Sequence, residues 1–102
     1  MYNLRITELA DADLDAIIKY ISIELANPQA AKHFLNKLES AYHFLSENPR
    51  MYPLCEDRRL ARNNYRKVLL KNYVLIFRIA EFEKRVYLFR FFYGAQDYIN
   101  QL

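Results

Sequence analysis

The chain reads as an α+β fold in which a pair of helices covers one face of an antiparallel sheet. Three observations predict it. Residues 65–93 hold three short apolar, β-branched and aromatic runs joined by tight connections. Residues 8–48 hold two stretches of helical periodicity divided at Asn27-Pro28. Ahead of both, Tyr2, Leu4 and Ile6 alternate with Asn3, Arg5 and Thr7, the pattern of a short half-buried strand.

The first helix begins at Thr7 or Glu8, with Asp11, Asp13 and Asp15 in its early turns, where the helix dipole favours acids. Leu14, Ile17, Ile18, Ile21 and Leu25 form its apolar stripe. Asn27 caps the second helix and Pro28 takes its first position. That helix is expected to bury Ala31, Phe34, Leu35, Leu38, Ala41, Tyr42 and Leu45, and to stop before Asn48-Pro49. The short break makes the two helices an antiparallel hairpin. His33 and His43 fall beside the stripe and read as surface residues.

Pro49–Asn64 is the longest stretch without a regular pattern, and loops of that length usually carry function or mobility. Met51-Tyr52-Pro53-Leu54 anchors it to the core, leaving Arg58, Arg59 and Arg62 exposed; their spacing also suits one helical turn. Strands follow at Tyr65–Leu70, Tyr73–Ile79 and Arg85–Tyr93. Lys71-Asn72 is a hairpin turn in which Asn supplies the positive φ, and Ala80–Lys84 is a charged connection. Gly94, the only glycine, ends the third strand. The tail Ala95–Leu102 is short, with Tyr98 and Ile99 placed to fold back on the sheet. All 102 residues form one domain.

Alternation assigns faces. Tyr73, Leu75, Phe77 and Ile79 share one side of their strand, and Val74, Ile76 and Arg78 the other. In the last strand Arg85, Tyr87, Phe89, Phe91 and Tyr93 oppose Val86, Leu88, Arg90 and Phe92. A lone guanidinium is rarely buried, so the sides bearing Arg78 and Arg90 are expected to be open, suited to an anionic or amphipathic ligand. The alternative is that both arginines reach the sheet edge or pair with acids.

Charge is unevenly distributed. Residues 1–48 carry four Lys/Arg against seven Asp/Glu, whereas residues 49–72 carry seven against two. The basic segment is the footprint expected for an acidic or phosphate-rich partner, or a solvated loop. The composition is 53% hydrophobic with nine Tyr and seven Phe, rich enough to imply a partner-covered surface. Cys55 is the only cysteine, so no internal disulfide, CxxC or zinc cluster is available, and a reducing cytoplasm is the expected compartment. Neither a signal peptide nor a membrane span is expected.

These residues, taken in order, resemble the RelE/ParE superfamily of toxins from bacterial type II toxin–antitoxin modules. The matching features begin with the opening strand, then Asp13, Leu14, Ile17, Tyr20 and Ile21 on the first helix and Asn27-Pro28-Gln29-Ala30-Ala31 opening the second. Leu45 to Pro49, Tyr52-Pro53-Leu54, Arg66-Lys67, Lys71-Asn72-Tyr73, Tyr93-Gly94 and Asp97-Tyr98 complete the set. The resemblance implies a cytoplasmic, growth-inhibiting toxin without cofactor or metal, held inactive by a cognate antitoxin. One branch of the superfamily poisons DNA gyrase without hydrolysis; the other enters the ribosome and cleaves mRNA.

A ribosome-dependent nuclease needs a base, an acid and phosphate-binding cations. Here the candidates for those roles are Arg66, Arg78, Arg90, Tyr93 and Tyr98. Val74 stands where some relatives have an arginine, Tyr93-Gly94-Ala95-Gln96 replaces the usual basic or histidine residues, and no histidine lies in the sheet or tail. That departure favours the gyrase-directed mode, with the nuclease and a non-toxic binding module as alternatives. Arg58, Arg59, Arg62, Lys67, Lys71 and Gln96 are the candidates for target contact.

Overall fold

The computed structural model describes residues 1–94 and 96–102; Ala95, the start of the expected tail, lies outside the described residues. Strand β1 (Asn3–Ile6) leads into helix α1 (Glu8–Lys19), which continues as a π-helical turn over Tyr20–Glu24. Helix α2 spans Pro28–Glu47, a 3₁₀ turn follows at Pro49–Met51, and a short helix α3 covers Arg58–Arg62. Strands β2 (Arg66–Leu70), β3 (Tyr73–Ala80) and β4 (Arg85–Tyr93) form the meander, and Ile99–Gln101 closes the tail as a 3₁₀ turn. The sheet order is β1-β4-β3-β2, with β1 parallel to β4 and the other pairs antiparallel. No helix among the described residues is long and apolar enough to cross a membrane.

The helix boundaries follow from their caps. Thr7 Oγ1 accepts from the Ala10 amide and Asn27 Oδ1 from the Ala30 amide, each satisfying an otherwise orphaned N–H. Asp57 caps α3 in the same way through the Leu60 amide. Thr7 also donates its hydroxyl to the Phe89 carbonyl, tying the start of α1 to β4.

The main core lies between the helix pair and one face of the sheet. Ile17 and Ile21 from the first helical segment and Phe34, Leu38, Ala41 and Leu45 from α2 pack on Val68, Leu70, Leu75, Phe77, Val86, Leu88 and Phe91. Two expected core residues are outside it. Leu25 is 54% exposed because the wider π turn rotates the stripe before the chain reaches it. Leu35, next to Phe34 at the margin of the α2 stripe, is 43% exposed.

The period-2 assignment fails in β4. Ile76 pairs with Arg90 but Phe77 pairs with Leu88, so Phe89 is an extra, bulged residue. Before the bulge Val86 and Leu88 face the helices; after it Phe91 does, joining the same core. Arg90 therefore does not share a face with Val86 and Leu88, nor Phe91 with Tyr87. A second correction concerns the β2–β3 turn, where Lys71 rather than Asn72 takes the positive φ, at 58°.

The reverse face is also partly covered. Cys55, Leu60, Val74, Ile76 and Phe92 form a second buried cluster, flanked by Tyr65, Tyr98 and Leu102. The long connection and the tail thus shield the reverse side at the β2 and Gly94 end.

At the other end, Glu81 pins the β3–β4 turn. It accepts from the Tyr2 hydroxyl at 2.8 Å, Lys84 Nζ at 2.6 Å and Arg50 Nη2 at 3.1 Å. Lys84, Tyr2 and Arg50, in that order, pull its carboxyl down to about 2 from an ordinary 4.5. A lowered folded-state pKa gives stability that is complete above the ordinary value and lost as pH falls through about 2. Glu81→Gln is therefore expected to lower the melting temperature at neutral pH, and its gap to the wild type should close as pH approaches that value. Thermal melts of both proteins across the acid range check this.

Candidate functional site

Two surfaces gather the chemistry. The first is a groove of about 1020 Å³ between the helix pair and the Gly94 end of β3 and β4. Ile17, Ile21, Phe34, Tyr73 and Phe91 contribute to its apolar lining, while His33, Lys37, Lys71 and Gln96 supply polar and cationic groups. Tyr73 stands edge-on to both Phe34 (centroids 5.4 Å) and Tyr93 (5.7 Å). Its phenol is pushed up chiefly by burial, then by Tyr20 and Tyr93. Tyr20 and Tyr93 remain half-exposed, so the groove is aromatic and wet at once.

The second surface is the uncovered part of the reverse face. A recess of about 510 Å³ is lined by Arg78, Ile79, Ala80, Glu83, Tyr87 and Phe89. The Arg78 guanidinium lies 5.2 Å from the Tyr65 ring centroid, and Tyr65 in turn stands edge-on to Phe89. Arg5 pairs in register with Tyr87 and is exposed. Arg78 thus lies half-buried on the uncovered part of the reverse face, over the Tyr65 ring.

Arg90 does not meet the expectation of an open, arginine-bearing face. Its Nε and Nη2 donate to the two carboxylate oxygens of Asp13 at 2.7 and 3.1 Å, and its guanidinium lies 4.7 Å from the Phe92 ring centroid. Asp13 Oδ2 also accepts from the Phe91 amide at 3.0 Å, so α1 satisfies the β4 edge beyond the end of β1. The Asp13 hydrogen bond raises the Arg90 pKa further above an already high value. The edge-and-acid alternative describes this arginine.

The remaining candidates are dispersed. Arg66 donates to the Tyr52 carbonyl at 2.6 Å, and Lys67 lies 3.3 Å from Glu56. Arg59 turns back to the tail, donating to the Leu102 carbonyl at 2.8 Å and to the Ile99 carbonyl. Gln96 Oε1 accepts from the Tyr93 amide at 3.0 Å. Tyr98 is stacked on Phe92 at 5.1 Å and 13°, and burial first, then Cys55, pushes its phenol up. A phenol with a raised pKa is a poor base at neutral pH. Burial likewise pushes the Cys55 thiol up, which makes it inert.

Arg58 and Arg62 are exposed on α3. Replacing both by alanine is expected to change stability by about 0.5 kcal/mol or less in urea unfolding.

Several residues of these surfaces escaped the sequence reading in their roles. Asp13 looked like one of three dipole-compensating acids, and nothing in the sequence singled it out as the partner of Arg90. Tyr20 and Tyr73 are brought to one groove by the helix hairpin closing over β3. Among the described residues, no three His, Cys, Asp or Glu side chains converge as a metal site would require.

Comparison with known proteins gives the same fold. The chain superimposes on the chromosomal ParDE toxin–antitoxin system of Pseudomonas aeruginosa with a TM-score of 0.69 and 22% identity, over 91% of this chain and 96% of that one. It also superimposes on the RelBE2 toxin–antitoxin complex of Mycobacterium tuberculosis, with a TM-score of 0.63 and 20% identity, over 90% and 96% of the two chains. No curated protein sequence matches it. The family model described as the ParE toxin of the type II toxin–antitoxin system, parDE, matches residues 4–98. With a family match along nearly its whole length, the chain belongs to the ParE toxins of type II toxin–antitoxin systems.

Proposed function

We propose that this protein is a growth-inhibiting, cytoplasmic toxin that poisons DNA gyrase by binding it, and that a cognate antitoxin neutralises it. One observation supports a binding mode over hydrolysis: three of the five candidates for phosphodiester chemistry are engaged in holding the fold, which leaves Arg78 and Tyr93 without a neighbouring acid–base partner among them. Arg90 is held by Asp13, Arg66 by the Tyr52 carbonyl, and Tyr98 by its stack on Phe92. A cleavage mechanism would need those groups free to meet a phosphate, a 2′-hydroxyl and a leaving oxygen.

The groove supports the antitoxin half of the proposal. An amphipathic segment with apolar anchors and acidic flanks complements its aromatic lining and its lysines. The test is controlled expression in cells. DNA-damage signalling with continued bulk translation, suppressed by co-expressing the antitoxin, is the expected result. Immediate translation arrest would reject the gyrase reading.

A second reading, a ribosome-dependent mRNA endoribonuclease, draws on the reverse-face recess. Arg78 beside Tyr65, with Tyr87 and Phe89 adjacent, offers cation and ring faces to a single-stranded nucleic acid. Primer extension on messages from expressing cells separates the two: codon-positioned cuts favour this reading, and intact messages in arrested cells exclude it.

A further inference from the structure

Phe82 has no folding role that its position explains. It sits in the β3–β4 turn with its side chain fully exposed, where a polar residue would serve the turn better. Yet the turn that presents it is tied to the rest of the chain. Tyr2 and Arg50, both distant in sequence, and Lys84 of the turn itself converge on its neighbour Glu81. The Asn3 amide donates to the Lys84 carbonyl, and Lys84 itself takes a φ of 54°. An exposed ring on a rigid mount loses little freedom on docking, which is the property of an interface anchor.

Its surroundings specify the partner. Arg50 and Lys84 share the single Glu81 carboxylate, while Glu83 lies 3.9 Å from Arg85. One positive charge is therefore left over beside the ring. The complementary surface is an apolar recess with an acidic rim.

Position separates this tip from the groove. Tyr73 pairs with Tyr93 at one end of the hairpin and Ala80 with Arg85 at the other. Seven strand steps put the ends about 23 Å apart. A segment seated in the groove need not cover Phe82.

We infer that Phe82 anchors the toxin to its protein target, entering an apolar, acid-rimmed recess on that target. The inference rests on the toxin reading above. The experiment compares the full-length wild type, Phe82→Ser and Phe82→Leu for growth arrest in cells, for inhibition of purified gyrase, and for affinity toward the co-expressed antitoxin. Phe82→Ser should need about tenfold more protein for the same inhibition, as loss of an interface anchor does, and Phe82→Leu should recover most of it. Antitoxin affinity should be unchanged in both.

Growth arrest by Phe82→Ser equal to the wild type overturns the anchor. Equal loss of antitoxin affinity also overturns it, since the ring would then serve the antitoxin or the fold. If the wild type arrests growth and Phe82→Ser does not, but gyrase is unaffected by either, the anchor stands and the gyrase reading falls. A harmless wild type removes the toxin reading and the anchor with it.

Discussion

Phe77→Ala is expected to destabilise the protein by about 3–5 kcal/mol, the usual cost of truncating a fully buried phenylalanine. Phe77 has no exposed surface and lies on β3, an interior strand, within the main core. Tyr52 stands edge-on to it at 6.1 Å, so the vacancy would also loosen the start of the long connection. A domain of this size has a total stability of about 5–15 kcal/mol, so the loss is a large fraction of the whole. Urea unfolding should show a much lower midpoint with little change in slope. In cells, the variant should accumulate less folded protein, unlike a surface variant of α3.

The second large effect is expected at Asp13. Its carboxylate holds both the Arg90 guanidinium and the Phe91 amide, and the side chains of the ion pair are only 20% and 18% exposed. Asp13→Ala removes the acceptor from a mostly desolvated cation and from a strand-edge N–H together. The site lies between the exposed and buried limits, so a cost of about 2–3 kcal/mol is expected. Arg90→Ala should cost less, because it leaves Asp13 still accepting from Phe91. A double-mutant cycle should return a coupling of about 1–2 kcal/mol; additive effects would mean that the pair does not hold α1 to β4.

The elements were legible because local chemistry decides them. Thr7, Asn27 and Pro28 mark helix starts through caps that the structure retains. The helix stripes and the three-strand meander follow from periodicity over short spans. What escaped the sequence depends on tertiary geometry. The bulge at Phe89 adds one residue without any glycine or proline to announce it, and it reverses the face of every later β4 side chain. The π turn has the same effect on Leu25. Placing β1 beside β4 requires knowing where the helix hairpin delivers the chain.

The site was less legible for a related reason. A cluster of arginines in sequence says where charge is concentrated but not what each guanidinium holds. Arg58 and Arg62 face solvent, Arg59 clasps the tail, Arg66 reaches Tyr52, and Arg90 meets an acid seventy-seven residues away. Those commitments are long-range, and they turn a uniform basic segment into separate structural ties and a smaller free surface.

Under the proposed function, the protein acts by holding a protein target and not by cutting nucleic acid. Supercoiling of relaxed plasmid by purified DNA gyrase, titrated with the wild-type protein, tests it most directly. The expected result is dose-dependent inhibition that the antitoxin reverses, with RNA in the same reaction left intact. Undiminished supercoiling, alongside codon-positioned mRNA cuts when the same preparation is given to ribosomes, would contradict it.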